Sequence, residues 1–375
     1  MGAVAATKIT QGNLKYTVNA DGKSVTVSGV SGSPTQLTIE SSISNNGTNY
    51  TVTEIAMWAF WGCNTLKEVT LPHTVEIIGD QAFCKCSNLT NVTIPEGVTK
   101  IGRAAFYDCS QLTSITIPST IKNMDEAFSG NTALSHVTLT EGISKISSMA
   151  FKGCTGLTEI KVPMSVDQIC PNAFNGCTGL TSVTLEKGIR IININAFKDC
   201  KNLSDVKYNG YKTDWEKVTV NTTGNDTLTS KVQYLCDINF DLNSGTVNGS
   251  TTVNQQTVYS KDQLATAKCY QSGQPFAIPS DPVREGYTFL GWYTQAEGGT
   301  KYTFTEAVSS NITLYAHWNA HSHTVTLEND ENKETNSYDY GSSVSVPTPT
   351  KKTGYNFNHW EVTVPDGETA PSLNG

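Results

Sequence analysis

Residues 82–104 have the sequence AFCKCSNLTNVTIPEGVTKIGRA, and this pattern decides the fold. Its Ala-Phe pair recurs along the chain at steps of 23, 23, 22, 23, 23 and 23 residues. The phenylalanine column comprises Phe60, Phe83, Phe106, Phe128, Phe151, Phe174 and Phe197. A fixed period of roughly 20–50 residues predicts a solenoid of stacked units, because one such unit cannot bury its own apolar face.

Three further columns keep step with the phenylalanines. The cysteine column is Cys63, Cys86, Cys109, Asn131, Cys154, Cys177 and Cys200, and the leucine column is Leu66, Leu89, Leu112, Leu134, Leu157, Leu180 and Leu203. The third column is Val69, Val92, Ile115, Val137, Ile160, Val183 and Val206. Alternation after the leucine predicts one short strand per repeat, with Val69 and Leu71 pointing inward. Successive strands should pair in parallel about 4.8 Å apart, and Pro72 should end the strand. The fourth repeat is one residue shorter, so we expect a local irregularity there.

These columns resemble the BspA-like class of leucine-rich repeats, which is found on bacterial surface proteins. The resemblance covers roughly residues 50–235. It implies a mainly β, right-handed solenoid with short helical or irregular segments on the convex side. We expect an N-terminal β-hairpin cap over residues 1–50, seven repeats over 51–206 and a C-terminal cap over 207–235. Residues 14–18 and 25–27 flank the turn Asn19-Ala20-Asp21-Gly22, which is the hairpin signal.

The second half of the chain lacks the 23-residue period. Residues 285–293 have the sequence EGYTFLGWY, and residues 313–318 have the sequence TLYAHW. These stretches resemble the internalin B-repeat-like module, also called the Listeria–Bacteroides repeat, which implies a small β-grasp-like domain over 236–320. Residues 354–360, GYNFNHW, match residues 286–292, so we expect a partial second module over 321–375. We expect the natural protein to continue after Gly375, and the Met1-Gly2 start to replace a removed signal peptide.

Composition excludes several classes of partner. The formal net charge is −8, and no cluster of lysine or arginine offers a footprint for nucleic acid. No apolar run approaches the length of about 18 residues that a membrane helix requires. We therefore expect an extracellular or cell-surface protein without membrane insertion in this segment. We expect it to be a monomer.

The ten cysteines leave two alternatives open. Secreted proteins commonly form disulfides, and neighbouring cysteines of the column would lie at disulfide distance. However, Asn131 divides the column into two groups of three, which cannot pair completely. We favour free, packed thiols, because cysteine is readily buried. Cys84, Cys170, Cys236 and Cys269 cannot be paired from the sequence.

Metal and catalytic sites are not indicated. His317, His321 and His323 are close in sequence, but they lack a fourth ligand at zinc-site spacing. No nucleophile elbow, zinc-protease motif or phosphate-binding glycine loop is present. We therefore expect a protein that is not an enzyme and needs neither a cofactor nor a metal.

The open face of the strands is the main candidate binding surface. Its outward residues would alternate with the inward valines, and the candidate set is Glu68, Thr70, Asn91, Thr93, His136, Glu159, Lys161, Asp205 and Lys207. A threonine ladder chosen for β-propensity alone would also explain the threonines. The charges at Glu159, Lys161, Asp205 and Lys207 are harder to explain by propensity.

A second candidate, here called the aromatic ledge, consists of Trp58, Trp61 and Tyr107. Flat aromatic faces suit sugar rings or an apolar anchor of a partner. We expect instead that the N-terminal cap covers these residues, because the end of a solenoid must be buried.

Three functions remain open. Adhesion or ligand capture, with a host or bacterial surface protein or a glycan as partner, is favoured, and the β-modules would then act as a stalk. A spacer without a ligand is the second. A hydrolase is the third, but an open sheet does not supply the deep pocket that it needs.

Overall fold

The computed structural model describes residues 7–251, 256–259, 270–271, 274–275, 278–304, 308, 310–329, 332–349, 352–356, 358–359 and 373–374. Met1, Gly2, Cys269, Phe357 and Trp360, which entered the predictions above, lie outside these residues. The chain forms two compact units, Met1–Leu235 and Cys236–Gly375.

The first unit is a mainly β solenoid of stacked coils. Its strands are β1 (Lys8–Gln11), β2 (Leu14–Val18), β3 (Ser24–Val30), β4 (Gln36–Thr38), β5 (Ser42–Asn45), β6 (Thr48–Ile55), β7 (Glu68–Thr70), β8 (Ile77–Ile78), β9 (Asn91–Thr93), β10 (Lys100–Ile101), β11 (Ser114–Ile117), β12 (His136–Leu139), β13 (Lys145–Ile146), β14 (Glu159–Val162), β15 (Gln168–Ile169), β16 (Ser182–Glu186), β17 (Ile191–Ile192), β18 (Asp205–Tyr211), β19 (Thr219–Val220) and β20 (Val232–Asp241), which crosses the unit boundary. The helices α1 (Lys212–Trp215) and α2 (Asp226–Thr229) have four residues each.

The predicted strand of each repeat is confirmed. In β7 and β9 the central valine is buried between two exposed neighbours. Parallel pairing joins Val69 to Val92, Ile115 to Val137 and Val183 to Val206 in the same alignment. Among the described strands, no ladder joins β9 to β11 or β12 to β14. A second series of two-residue strands, β8, β10, β13, β15, β17 and β19, forms another side of the solenoid.

Stacked phenylalanine rings fill the core of the solenoid. Every residue of the phenylalanine column is at most 1% exposed. Neighbouring rings are nearly parallel, with centroids between 4.8 Å (Phe60 to Phe83) and 5.6 Å (Phe128 to Phe151) apart. Each buried ring removes apolar surface from water and contributes about 1.5–3 kcal/mol to stability.

The cysteine column contains free thiols, as expected. Cys63, Cys86, Cys109, Cys154, Cys177 and Cys200 carry no disulfide. The Sγ of Cys86 donates a hydrogen bond to the carbonyl oxygen of Phe60 at 3.1 Å, and Cys177 donates in the same way to Phe151. Burial raises the pKa of the Cys86 thiol to about 12. The column therefore supplies buried donors for the backbone carbonyls of the preceding coil.

The fourth repeat is irregular, as predicted. The small strands form two separate sheets, β6-β8-β10 and β13-β15-β17-β19, with a break at this repeat. Met124 fills the core position of the missing strand and is 1% exposed. Asn131 takes the cysteine position, where its Oδ1 accepts a hydrogen bond from the Cys109 N–H at 2.8 Å. Its Nδ2 is buried without a hydrogen-bond partner.

Stacking extends beyond the repeats that the phenylalanine column defines. At the N-terminal end, β4 pairs in parallel with β7, and Leu37 lies opposite Val69. Strands β1, β2 and β3 form an antiparallel sheet that continues through β6 into the small-strand side. At the C-terminal end, β19 pairs with β17 and β20 pairs with β18. Asn225, which is fully buried, accepts the Phe197 N–H at 2.9 Å through its Oδ1.

In the second unit, β20 pairs in parallel with β25 (Ile312–Ala320), which pairs antiparallel with β24 (Tyr287–Tyr293). The other strands are β21 (Gln256–Tyr259), β22 (Tyr270–Gln271), β23 (Gln274–Pro275), β26 (Ser322–Asn329), β27 (Asn332–Asp339), β28 (Val344–Ser345) and β29 (Leu373–Asn374). A small core forms around Phe240, Trp292 and Leu314. The β-grasp topology of this module stays a prediction.

Candidate functional site

The strands place all nine candidate residues of the open face on outward positions. Glu68, Thr70, Asn91, Thr93, His136, Glu159 and Lys161 are exposed, and Asp205 and Lys207 are half-buried. Inward neighbours such as Val69 and Ile160 are each 3% exposed, whereas Val137 beside His136 is half-buried. Because side chains alternate along a strand, the candidate residues share one face. Whether a ligand binds there stays a prediction.

The charged residues of this face cluster over β14, β16 and β18. The Nζ of Lys161 lies 3.4 Å from Oε1 of Glu186, and Nζ of Lys207 lies 3.2 Å from Oδ2 of Asp205. We call Glu159, Lys161, Glu186, Asp205 and Lys207 the charged patch. Ion pairs between exposed side chains add little to the stability of a protein, about 0–1 kcal/mol each.

Sequence reasoning missed Glu186, which forms an ion pair with Lys161. Glu186 occupies the column that holds Pro72, Pro95 and Pro118 in earlier repeats. Without proline, β16 continues to Glu186, and this residue pairs with Asn209 of β18. The missing proline permits this longer strand, because a proline cannot donate to the ladder. The absence of proline does not by itself predict the longer strand, since Thr140 also replaces the proline and β12 still ends at Leu139.

Neighbouring side chains orient the charged patch. Asn209 donates from Nδ2 to Oε1 of Glu186 at 3.0 Å, so this carboxylate contacts both an amide and the Lys161 ammonium. Gln233 donates from Nε2 to Oδ1 of Asp205 at 3.1 Å. In the sheet, Thr184 of β16 lies opposite Lys161 of β14 on one side and opposite Lys207 of β18 on the other. Two strand spacings therefore separate their Cα atoms, which is roughly 10 Å.

The first four coils present a mostly neutral face. Thr70, Thr93, Thr116 and Thr138 form a row of exposed threonines. Glu68 accepts a hydrogen bond from Gln36 at 3.3 Å, and His136 lies 2.8 Å from the Ser135 hydroxyl through Nδ1. The candidate residues of the first four coils are therefore spread along the solenoid and do not belong to the charged patch.

The aromatic ledge is open to solvent at its tryptophans, so the expectation that the cap covers it is wrong. Trp58 is 59% exposed and Trp61 is 53% exposed, whereas Tyr107 is half-buried. The N-terminal strands extend the small-strand side through β3 and β6, so they do not fold over the turn that carries these residues. Trp58 donates from Nε1 to Oε1 of Gln81 at 3.2 Å.

No metal cluster is found among the described residues. His317 Nε2 lies 2.8 Å from the carbonyl oxygen of Gln295, and His321 Nε2 lies 2.9 Å from the hydroxyl of Thr288. Within the described part of the chain, no helix has the length and apolar character needed to cross a membrane.

Comparisons with known proteins agree with these features. Residues 39–155 and 122–225 match the BspA type leucine-rich repeat region, and residues 237–317 and 323–370 match the Listeria-Bacteroides repeat domain. Internalin H of Listeria monocytogenes is 34% identical over 119 residues, which is 31% of this chain and 22% of that protein. A putative membrane protein of Evansella cellulosilytica is 35% identical over 85 residues, 22% of this chain and 13% of that protein.

Among solved structures, a leucine-rich repeat protein from Bacteroides ovatus is 24% identical with a TM-score of 0.42, over 56% of this chain and 66% of that one. The match with Internalin H covers only about a fifth of the length of that protein. Through residues 39–225 the chain belongs to the BspA-type leucine-rich-repeat family, and Listeria-Bacteroides repeat domains follow these repeats.

Proposed function

We propose that this chain is a non-enzymatic binding protein of the bacterial cell surface, which holds a protein ligand on the open face of its solenoid. The observation that carries the proposal is the charged patch. Its five charged side chains lie on one face of a sheet of three paired strands. The Listeria-Bacteroides repeat domains would serve as the stalk that displays the solenoid.

Charge on this patch suits recognition better than folding. The Lys161 side chain is 73% exposed and the Glu186 side chain is 16% exposed, so water screens this ion pair from the lysine side and limits its contribution to stability. Mixed charges with fixed positions steer a partner during association and determine its orientation. Backbone pairing holds the strands beneath them, so few degrees of freedom would be lost on binding.

A spacer without a ligand is the competing function. A spacer needs a stable solenoid but no chemically distinct patch, and the threonine row of the first four coils fits that role. The clustering of opposite charges at coils five to seven favours a binding protein. Extracellular location follows from the same proposal, and the resemblance to surface-protein repeats supports it.

The proposal is tested with an array of purified extracellular-matrix and bacterial surface proteins, probed with the full chain. We expect at least one protein to bind with a Kd below about 10 μM, which corresponds to roughly 7 kcal/mol. Binding should weaken as salt rises, because the patch carries both signs of charge. If no protein on the array is bound, the spacer function replaces the proposed one.

A further inference from the structure

The turn beside each phenylalanine carries two columns whose exposure varies from coil to coil, with Cys84, Ala104 and Ser129 buried. The residue two positions before the phenylalanine is Trp58, Gln81, Ala104, Glu126, Met149, Asn172 and Asn195, and the residue after it is Trp61, Cys84, Tyr107, Ser129, Lys152, Asn175 and Lys198. The first coil alone of the seven has a large aromatic residue in both columns. Both of these tryptophans are more than half exposed.

The backbone at the first of these columns disfavours tryptophan. All seven residues have positive φ, from 52° at Gln81 to 60° at Trp58. Bulky residues rarely adopt this left-handed conformation, whereas asparagine tolerates it, as at Asn172 and Asn195. All seven coils share this conformation, so it belongs to the turn itself. The first coil differs because its residue is a large aromatic side chain that is 59% exposed.

A hydrogen bond to the next coil holds one of the two indole rings. Trp58 donates from Nε1 to Oε1 of Gln81 at 3.2 Å. Trp58 and Trp61 both stay more than half exposed, so their ring faces and edges are available to a ligand. Trp58, Trp61 and Gln81 line an open depression of about 490 Å³.

Polar groups surround these ring surfaces. Because Oε1 of Gln81 accepts the Trp58 N–H, the Nε2 group is the part of this amide that can donate to a ligand. Nζ of Lys85 lies 5.9 Å from the Trp61 ring centroid and provides a second donor with a positive charge. Flat apolar faces next to a few polar donors match the two sides of a sugar ring, whose C–H groups are attracted to the negative face of an indole.

We propose that Trp58, Trp61, Gln81 and Lys85 form a glycan-binding subsite for a pyranose unit. The C–H face of the sugar stacks on an indole, while Gln81 and Lys85 hydrogen-bond its hydroxyl or carboxylate groups. A protein partner fits this surface less well, because a stable interface covers about 800 Å² on each side and only three residues line the depression. This subsite is separate from the charged patch and does not depend on it.

The test uses the full chain and three hexasaccharide probes: cellohexaose, chitohexaose and a hyaluronan hexasaccharide. Calorimetry should detect at least one with a Kd below about 1 mM, a typical range for a weak single site. Trp61→Ala should weaken this binding at least tenfold. Lys85→Ala should weaken the hyaluronan fragment more than the two neutral probes, because only hyaluronan loses a charge–charge contact, and this difference distinguishes an acidic sugar from a neutral one.

Trp58→Asn is the decisive variant, because it separates binding from folding. Asparagine suits the positive φ at this position, so the melting temperature should stay the same or rise while glycan binding falls at least tenfold. Met149→Asn makes the same change in the fifth coil and should leave binding unaltered. The proposal is overturned if none of the three probes binds, if Trp58→Asn binds like wild type, or if Met149→Asn reduces binding equally.

Discussion

Replacing Phe106 by alanine should remove a large part of the stability of the solenoid. The ring is fully buried between Phe83, at a centroid distance of 5.1 Å, and Phe128, at 5.4 Å, with an interplanar angle of 2° to each. Emptying a buried aromatic site costs about 3–5 kcal/mol. Two stacked pairs, each worth about 0.5–1.5 kcal/mol beyond area burial, place the expected loss in the upper part of that range. Such a loss is a sizeable share of a total stability of about 5–15 kcal/mol.

Guanidinium unfolding of the full chain, followed by circular dichroism, measures this loss. The matched control is Tyr107→Ala, because the neighbouring residue is half-buried and should cost about 1 kcal/mol or less. A loss of less than about 1 kcal/mol for Phe106→Ala would refute the reasoning, since the phenylalanine column would then contribute little to the core.

Two further predictions concern buried polar groups of the cysteine column. Burial raises the thiol pKa of Cys86, Cys154 and Cys200 to about 12 from an ordinary value of 9.0, so the unfolded chain loses these protons first. The contribution of the neutral thiols to the free energy of unfolding should therefore be fully present below pH 9 and should decrease as the pH rises toward 12. Chemical unfolding at several pH values will measure this change. Asn131→Ala would leave the Cys109 N–H without its acceptor and should cost about 1–3 kcal/mol in the same unfolding assay, whereas the exposed Thr132→Ala should cost less than about 0.5 kcal/mol.

Most of the fold could be predicted because the core residues that determine it recur at a fixed spacing in the sequence. The phenylalanine column and the strand after each leucine follow from a spacing of 23 residues, and the free thiols follow from the interruption at Asn131 and the burial preference of cysteine. The coil that contains Leu37 was not recognised as part of the stack, because it lacks the phenylalanine and cysteine that mark the others. Its parallel pairing with β7 depends on strand contacts that the repeat pattern did not include.

The candidate site could be predicted only as a set of outward positions. Alternation identified Glu159 and Lys161, but the partner of Lys161 depends on how far β16 continues beyond its usual end. The exposure of Trp58 depended on the direction in which the N-terminal strands leave the first coil. Both facts are three-dimensional consequences of strand pairing, and a one-dimensional pattern does not specify them.

Reversing the charges of one ion pair tests the role of the open face most directly. Lys161→Glu combined with Glu186→Lys keeps an opposite-charge pair but inverts its direction. The control is Arg103→Glu with Glu126→Arg, which inverts a 3.0 Å pair of similar exposure, 71% and 23%, away from the open face. Affinity for the protein that the array identifies is then measured for all three chains at the same salt concentration. We predict that the first reversal weakens binding at least tenfold, about 1.4 kcal/mol, with an unchanged melting temperature, while the control binds within about twofold of wild type. Equal affinity of the two reversed variants and wild type would contradict the account, because the charged patch would then take no part in binding.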